Sequence, residues 1–324
     1  MAFAAEIIQP AVSLLNSSHE SAILSRVKSA LILGGTRYFG KLLVERLLDS
    51  GVEVTIATRG QTSDPFGNSV KRLVFDRSNA EAMRDALPLH SSWDVIFDQI
   101  CYSPNDAASA CEVFADRTGR YVLTSTQSVY QETGIQAEAD FEPAKLPLQM
   151  GERDDFSYSD CKRLAEAVFF QKSKFPVAAI RIPIVLGPDD YTKRLEFHIQ
   201  QIRNGRPIVV PNLDAKMCFI HSTEAARFIA WAGTQAFQGP INACSQGDVS
   251  IGKLLSIIAE QIARAPEIFE VGEESQASPF IGAESRLMDT FKAQTLGFQF
   301  SRVMDWLPRL IRSKSCNFSQ SPTN

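Results

Sequence analysis

The feature that most constrains how this chain folds is a regular alternation of short apolar runs with longer amphipathic segments, which begins at Ala30. Such alternation is typical of repeated βαβ units, in which a helix crosses over between two parallel strands. The predicted strands lack polar alternation, so we expect helices to cover both of their faces. These strands are Ala30–Leu33, Glu53–Ala57, Arg72–Phe75, Val95–Ile100, Tyr121–Thr124 and Val177–Ile182. The sequence therefore predicts an α/β fold built on a doubly wound parallel sheet.

Two of the intervening helices are well marked. Apolar residues recur at three-to-four spacing over Tyr38–Asp49, which stops before Gly51, and again over Tyr158–Lys172. After Gly187 and Pro188 the alternation loosens, so we expect a second, smaller α/β domain. The predicted organisation is an N-terminal extension over 1–28, a first domain over 29–185 that regains 216–246, a second domain made of 186–215 and 247–312, and a flexible tail over 313–324.

The charge balance argues against two classes of partner. Lys and Arg number 33 against 37 Asp and Glu among 324 residues, which gives a formal net charge of −4. We therefore expect no broad electrostatic attraction to nucleic acid or to an anionic membrane. No run approaches the roughly 18 apolar residues that a membrane span needs. The six cysteines are scattered without a CxxC pair, which predicts reduced thiols and no metal site.

Residues 1–28 bear on where the protein is located. This segment carries Glu6 where a secretory leader would be basic, and Arg26 and Lys28 stand only at its end. We predict a cytoplasmic protein with a short extension that precedes the first strand. Targeting to an organelle by residues 1–28 is the alternative that the sequence leaves open.

A glycine-rich segment follows the first predicted strand and leads directly into a helix. A pyrophosphate can lie on the free backbone N–H groups at such a helix start, provided that glycines let the backbone approach it. The strand-turn-helix context predicts a Rossmann-type, NAD(P)-binding domain, although a purely structural turn remains the alternative. The candidate residues are Gly34, Gly35, Thr36, Arg37, Tyr38, Phe39 and Gly40.

The end of the second predicted strand indicates which dinucleotide binds. An acidic residue there would hold the ribose 2′-hydroxyl of NAD, but the chain reads Ala57-Thr58-Arg59. Guanidinium groups of Arg37 and Arg59 would match a 2′-phosphate, so we favour NADP over NAD. The alternative is that Arg59 is a solvated loop residue. Asp76 ends the third strand, where it either accepts from the adenine amino group or serves only as a turn residue.

A YxxxK spacing starts the helix predicted at Tyr158. Tyr158 and Lys162 lie one turn apart on the same face, with Cβ atoms about 5–6 Å from each other. A free tyrosine ionises near pH 10, and a neighbouring ammonium in a partly dry site favours its ionisation at lower pH, as proton transfer requires. The strand end Thr124–Tyr130 is rich in hydroxyl groups and lies at the edge of the sheet where ligands bind in such folds. We expect one of these hydroxyls to hold a substrate oxygen for Tyr158.

With these motifs the chain resembles the extended or atypical short-chain dehydrogenase/reductases, the NAD-dependent epimerase/dehydratase family, over about residues 29–311. The resemblance implies that Thr126 is catalytic, that Tyr158 is the acid/base, and that Lys162 binds the nicotinamide ribose and tunes the tyrosine. It also implies that Ile184 and its neighbours line the nicotinamide. The supporting segments are Gly34–Gly40, Ser125–Tyr130, Tyr158–Lys162, Arg181–Pro188, and Phe219–His221 followed by Glu224.

Departures from the family pattern leave the substrate open. Arg37 replaces the middle glycine of the family's GxxGxxG, a form similar to a GGTR-type subgroup that includes chloroplast stem-loop-binding proteins. The segment Asp98–Pro104 differs from the HLAA pattern usual at that point. Family members pair through helices such as the one bearing Tyr158, which implies a homodimer. Phe169 and Phe170 on that helix fit either a core or an interface.

Two classes of function remain. The favoured one is an NAD(P)-dependent oxidoreductase, epimerase or dehydratase that acts on a carbinol or carbonyl of a small molecule, with sugar nucleotides among the candidates. Here Tyr158 moves the proton while hydride passes between the substrate carbon and the nicotinamide. The alternative is a non-catalytic, NAD(P)-responsive binding protein, RNA-associated like the stem-loop-binding relatives. The acidic charge balance argues against this alternative because RNA binding depends on basic surface.

Overall fold

A computed structural model of the chain describes residues 26–280 and 283–317. The predicted N-terminal extension therefore lies outside the described residues, apart from its last three positions. The same is true of 318–324, the greater part of the predicted tail.

Fifteen strands and nine α-helices occur in the described residues. The strands are β1 (Ser29–Leu33), β2 (Glu53–Thr58), β3 (Lys71–Val74), β4 (Val95–Asp98), β5 (Tyr121–Thr126), β6 (Gly134–Gln136), β7 (Val177–Ile182), β8 (Ile184–Leu186), β9 (Ile208–Val209), β10 (Lys216–Met217), β11 (Phe219–His221), β12 (Gly239–Asn242), β13 (Val249–Ser250), β14 (Ile268–Phe269) and β15 (Arg286–Met288). The helices are α1 (Tyr38–Asp49), α2 (Ala80–Ala86), α3 (Pro104–Val113), α4 (Tyr158–Lys172), α5 (Arg194–Asn204), α6 (Ser222–Gly233), α7 (Ile251–Ile262), α8 (Phe291–Thr295) and α9 (Val303–Asn317).

The largest sheet has seven strands in the order β12-β7-β5-β4-β1-β2-β3. Within it, β1 pairs in parallel with β2 on one side and with β4 on the other. The chain adds β2 and β3 on one side of β1 and then crosses to the other side, which creates a topological switch beside β1. Ligands of doubly wound sheets bind at this point. The predicted Rossmann-type parallel sheet is confirmed.

The contacts divide the described residues into two compact units. The first comprises 26–125, Pro143–Ile180 and Ala226–Pro240. Its apolar core lies between the strands of the large sheet and helices α3 and α4, and Phe169 is fully buried in it. Phe170 is partly buried against the same core. Phe169 therefore serves the core of this unit, while the homodimer stays a prediction.

The second unit comprises 126–142, 181–225 and 241–317 of the described chain. It contains a four-stranded sheet in the order β13-β10-β15-β6 and two strand pairs, β11 with β8 and β14 with β9. Its own core includes Leu195 of α5, Leu254 of α7 and Leu307 of α9, all fully buried. A smaller α/β unit was predicted, and the exact domain boundaries stay a prediction.

The predicted tail needs one correction, because α9 continues to Asn317 and so includes 313–317. Lys314 is buried there, where its ammonium pairs with Glu196 and donates to the carbonyl of Pro188. The polar composition of this end suggests solvation, but the ion pair holds the last turn in place. None of the helices in the described part of the chain has the length and hydropathy needed to cross a bilayer.

Candidate active site

The glycine-rich loop lies at the switch point between β1 and α1. Gly34 and Gly35 have φ values of 102° and 90°, a left-handed conformation that a side chain would strain. A Cβ atom at Gly40 would lie 3.4 Å from the Cα of Gly35, so the first turn of α1 approaches the loop backbone closely. The positive φ values favour glycine at positions 34 and 35, and a loop backbone of this kind lets a pyrophosphate approach closely.

Arg37 occupies the family's middle glycine position without strain. Its φ of −135° and ψ of 151° are extended values that any residue adopts. The left-handed residue is instead Tyr38, with φ of 52°. Arg37 is the N-cap of α1 and no side chain caps this helix, nor does its first turn contain an acidic residue. The first backbone N–H groups of α1 therefore remain suited to an anion.

The Gln99 side chain is a buried polar group beside this loop that sequence reasoning missed. A Cβ atom at Gly34 would lie 3.4 Å from the Cβ of Gln99, and one at Gly40 would lie 3.8 Å from its Cγ. Both amide atoms of Gln99 are inaccessible to water and have no hydrogen-bond partner within the described residues. Such a group costs about 1–3 kcal/mol unless a partner satisfies it. A buried amide that lacks a hydrogen-bond partner within the described residues and lies beside the glycine-rich loop fits a polar ligand that binds at this loop.

Arg37 and Arg59, the two arginines predicted to bind a 2′-phosphate on the cofactor ribose, are both exposed. Arg37 donates from Nη2 to the Thr62 hydroxyl at 3.1 Å, which directs it toward the loop after β2. Hydrogen bonds from the backbone N–H and hydroxyl of Ser78 lower the pKa of Asp76, and the Arg59 charge lowers it further. One oxygen of Asp76 therefore takes part in a turn, and its contact with the adenine amino group stays a prediction.

Tyr158 and Lys162 differ sharply in exposure although they share one face of α4. Tyr158, at the first position of the helix, is 51% exposed, whereas Lys162 is 4% exposed. The Lys162 ammonium donates to the carbonyls of Cys101 and Thr124, both at 2.8 Å. It also lies 5.2 Å from the centre of the Tyr102 ring. A fixed, buried cation therefore lies one helical turn from a phenol that a substrate can reach.

The hydroxyl groups at the end of β5 have different partners. Ser125 donates to the buried carboxylate of Glu166 on α4. The Thr126 hydroxyl accepts from the N–H of Ser128 at 3.1 Å and caps a short helical turn, Gln127–Val129. The Thr124 hydroxyl is buried without a partner among the described residues. Thr126 is 9% exposed, and its catalytic role stays a prediction.

Ile184, predicted to line the nicotinamide, lies in β8 of the second unit. It is half-buried, and it pairs with Phe219 of β11. Its role toward the cofactor stays a prediction.

A buried polar cluster follows β4 and was not identified from the sequence. Arg77 donates to Asp98 from Nε at 3.2 Å and from Nη2 at 2.9 Å, and its Nη1 lies 3.9 Å from Asp106. The Tyr121 hydroxyl donates to the same Asp98 oxygen at 2.6 Å. Burial and the Asp98 charge raise the pKa of Tyr121 well above its usual value, and burial raises the pKa of Asp106. The only sequence signal was a carboxylate, Asp98, inside the predicted strand Val95–Ile100.

The profile of the NAD dependent epimerase/dehydratase family matches residues 30–252. A curated relative, the chloroplast stem-loop binding protein of 41 kDa b from Arabidopsis thaliana, is 25% identical over 201 residues. The match covers 58% of this chain, and the chain spans about half (50%) of that relative's length.

Solved structures share the fold at low sequence identity. UDP-glucose 4-epimerase of Thermus thermophilus, in complex with NAD, has a TM-score of 0.65 at 17% identity, covering 91% of this chain and 100% of its own. The Thermotoga maritima UDP-glucose 4-epimerase with UDP-glucose has a TM-score of 0.70 at 12% identity, covering 90% and 100%. Bordetella bronchiseptica WbmF, with NAD+ and UDP, has a TM-score of 0.66 at 18% identity, covering 91% and 95%.

Proposed function

Because the chain belongs to the NAD dependent epimerase/dehydratase family, we propose that it is an NAD(P)-dependent enzyme that oxidises or reduces a carbinol or carbonyl carbon with Tyr158 as acid/base. The observation that carries the proposal is the Tyr158–Lys162 pair. A buried ammonium lies one helical turn from a half-exposed phenol, and a glycine loop suited to a pyrophosphate belongs to the same unit. Neither feature alone would support chemistry as well as the two together.

The residues around the loop fit a dinucleotide. The positive φ of Gly34 and Gly35, the close approach at Gly40 and the uncapped start of α1 together form an anion cradle. The orphaned Gln99 amide beside it offers one donor and one acceptor to a polar ligand. We assign the pyrophosphate to residues 34–40 and the nicotinamide ribose to Lys162, which retains a third N–H after its two carbonyl contacts.

The bound nicotinamide supplies hydride acceptance or donation at its ring carbon C4. As the substrate C–H hydride leaves, the Tyr158 phenolate takes the proton of the substrate hydroxyl, and a carbonyl forms. In the reverse direction Tyr158 returns this proton to the developing alkoxide. Lys162 favours the phenolate by its positive charge, and Thr126 is assigned to hold the same substrate oxygen by a hydrogen bond.

We extend the proposal to sugar nucleotides as the first substrate class to test, since two of the structural relatives are UDP-glucose 4-epimerases. The purified protein is incubated with UDP-glucose and the dinucleotide, and UDP-galactose is measured by chromatography. An epimerase forms UDP-galactose with no net change in reduced nicotinamide, whereas a reductase consumes it on a carbonyl panel. Absence of turnover in both assays, with dinucleotide bound, would reject the enzyme assignment for these substrates.

We propose that NADP is preferred, because Arg37 and Arg59 are exposed and the end of β2 carries no acidic residue. Each guanidinium contact with a 2′-phosphate is a hydrogen bond to a charged group, worth about 1.5–3 kcal/mol. Arg37→Gln and Arg59→Gln should therefore each weaken NADPH binding about tenfold or more by calorimetric titration. NADH affinity should hardly change. Arg84→Gln, on α2, is the matched control, and equal wild-type affinity for both cofactors would contradict the preference.

A second candidate is an RNA-binding role, which the stem-loop binding relative suggests. The net charge of −4 predicts no RNA affinity that falls steeply with salt. Fluorescence anisotropy with a labelled RNA stem-loop at two salt concentrations distinguishes the candidates. Tight binding that weakens steeply between them would favour the RNA role over catalysis.

A further inference from the structure

The Lys162 ammonium is held entirely by uncharged groups. Its hydrogen-bond acceptors are the carbonyls of Cys101 and Thr124, and the Tyr102 ring lies 5.2 Å away. None of the ion pairs within residues 26–280 and 283–317 involves Lys162. Neutral acceptors orient a cation without cancelling its charge, so its field remains available to a neighbouring phenol.

Two of these groups, the Cys101 carbonyl and the Tyr102 ring, belong to one short segment between β4 and α3. A carboxylate fixes each end of this segment. At the start, Asp98 accepts from the N–H of Ile100 at 3.0 Å. At the end, Asp106 accepts from the N–H groups of Tyr102 at 2.9 Å and Ser103 at 3.1 Å.

Arg77 contacts both carboxylates. Its guanidinium binds Asp98 through two nitrogens and lies 3.9 Å from Asp106 through the third. All three side chains are buried, with exposures of 5% for Arg77, 0% for Asp98 and 7% for Asp106. Because a buried carboxylate without a counter-charge is strongly unfavourable, the Arg77 guanidinium stabilises both carboxylates where they lie.

We propose that Arg77 is a positioning residue for Lys162: through Asp98 and Asp106 it fixes the segment that orients the ammonium, and it cancels their negative charge beside the site. This inference rests on the proposed function, in which Lys162 favours the Tyr158 phenolate. The Arg77 guanidinium contacts Asp98 and Asp106 rather than Lys162 or Tyr158. Its effect on Tyr158 therefore passes through the segment and through charge.

Other charged and titratable groups near the segment have partners of their own. Arg153 lies 4.9 Å from the Tyr102 ring on the side of α4. The Cys161 thiol, next to Lys162, donates weakly to the Arg153 carbonyl, and burial raises its pKa. Asp160 accepts from the Ser157 hydroxyl at the start of α4, and Glu166 accepts from Ser125. None of these groups bridges the two ends of the segment as Arg77 does.

The competing interpretation is that the Arg77 cluster only stabilises the first unit. Breaking a buried ion pair would then lower thermal stability but would leave the ionisation of Tyr158 unchanged. The two interpretations therefore differ in the pH midpoint at which Tyr158 ionises, and this midpoint can be measured on the full chain without a substrate.

The experiment is an NMR pH titration of the full chain labelled at the tyrosine ring carbon that bears the hydroxyl. The chain has 6 tyrosines, and the signal missing in Tyr158→Phe identifies Tyr158. The variants are Lys162→Met, Arg77→Met, Arg77→Lys, Asp98→Asn and the double variant Arg77→Met with Asp98→Asn. Thermal unfolding of each variant reports whether it is folded.

Lys162→Met should raise the Tyr158 midpoint, because a neighbouring cation is lost. Arg77→Met should raise it by less than Lys162→Met does, because the segment that orients Lys162 loses a support and both carboxylates lose their counter-charge. Asp98→Asn should leave it unchanged or lower it, since Arg77 then carries excess positive charge. The double variant should lie between wild type and Arg77→Met, because it also removes the negative charge of Asp98.

An unchanged midpoint in folded Arg77→Met overturns the positioning role, and an equal rise in Asp98→Asn overturns the part of the proposal that rests on charge. If Arg77→Met does not fold, Arg77→Lys decides, because lysine keeps the charge but lacks the fork that contacts two carboxylates. A raised midpoint there supports positioning, and an unchanged one rejects it. If Lys162→Met itself leaves the midpoint unchanged, the Tyr158–Lys162 pairing of the proposed function fails instead, whatever the Arg77 variants show.

Discussion

Tyr158→Phe is expected to reduce kcat about 10²–10⁴-fold, the range that a positioned general acid or base contributes. The phenylalanine ring keeps the shape of the residue at the start of α4 but cannot accept or return the substrate proton. Since Tyr158 is 51% exposed, removing its hydroxyl should leave thermal stability almost unchanged. Turnover of the sugar nucleotide or carbonyl identified by the assays above is the measurement.

Two controls make this result specific to the phenol. Calorimetric titration with NADPH and NADH should give wild-type affinities for Tyr158→Phe, because the glycine loop and Lys162 are intact. Tyr191→Phe, which removes another exposed tyrosine hydroxyl, should retain full turnover. Undiminished turnover in Tyr158→Phe would rule out the acid/base assignment, whereas loss of dinucleotide binding would show that the tyrosine acts through the cofactor.

The second large effect is a loss of stability on mild acidification that depends on His198. Burial lowers the pKa of His198 from 6.5 to about 4, with its ring stacked 4.7 Å from Phe280. The neutral ring donates from Nδ1 to the Arg194 carbonyl at 2.9 Å and accepts from the Ser278 hydroxyl at 2.8 Å. A proton on this buried ring has no compensating carboxylate among these contacts.

The direction of this pH effect follows from the linkage between protonation of His198 and folding. The pKa of His198 is lower in the folded state than in the unfolded state, so its contribution to stability is complete above pH 6.5 and falls as the unfolded chain takes up the proton. Between pH 6.5 and about 4 the free energy of unfolding should drop by about 3 kcal/mol on this account.

Urea unfolding at a series of pH values measures this loss. His198→Gln should be less stable than wild type at neutral pH, but the difference should shrink as the pH falls toward 4, because glutamine takes up no proton. His90→Asn, at an exposed histidine, should follow the wild-type curve. A constant difference between His198→Gln and wild type across the window would contradict the buried, neutral ring.

The elements that sequence predicts well are those with local signals. α1, α4 and β7 have the predicted bounds, because their apolar periodicity and flanking residues are complete. β5 continues two residues beyond the prediction, to Thr126, because the hydroxyls of Ser125 and Thr126 find partners and so permit burial. β4 ends at Asp98, two residues early, where this carboxylate binds the N–H of Ile100 and turns the chain.

The candidate site also combines features that a local sequence pattern predicts with features that it does not. The glycine loop and the YxxxK pair are patterns within a few residues, so they can be read from the sequence. The Cys101 carbonyl that orients Lys162 lies 61 residues away, and the Arg77–Asp98 pair spans 21 residues. No local period reveals such pairings, and a backbone carbonyl carries no residue type for a motif to record. The orphaned amide of Gln99 is likewise visible only in three dimensions.

The interleaving of the two units sets an order for folding during synthesis. The first unit takes its last segment from Ala226–Pro240, and β12 forms one edge of the seven-stranded sheet. The ribosome must therefore release most of the second unit's earlier segments before this sheet can acquire its final strand. Until then β7 presents an unpaired edge, which is the kind of surface on which nascent chains aggregate. A nascent chain that has emerged from the ribosome only as far as the residue before Gly239 should consequently depend on chaperones more than one that has emerged beyond Asn242.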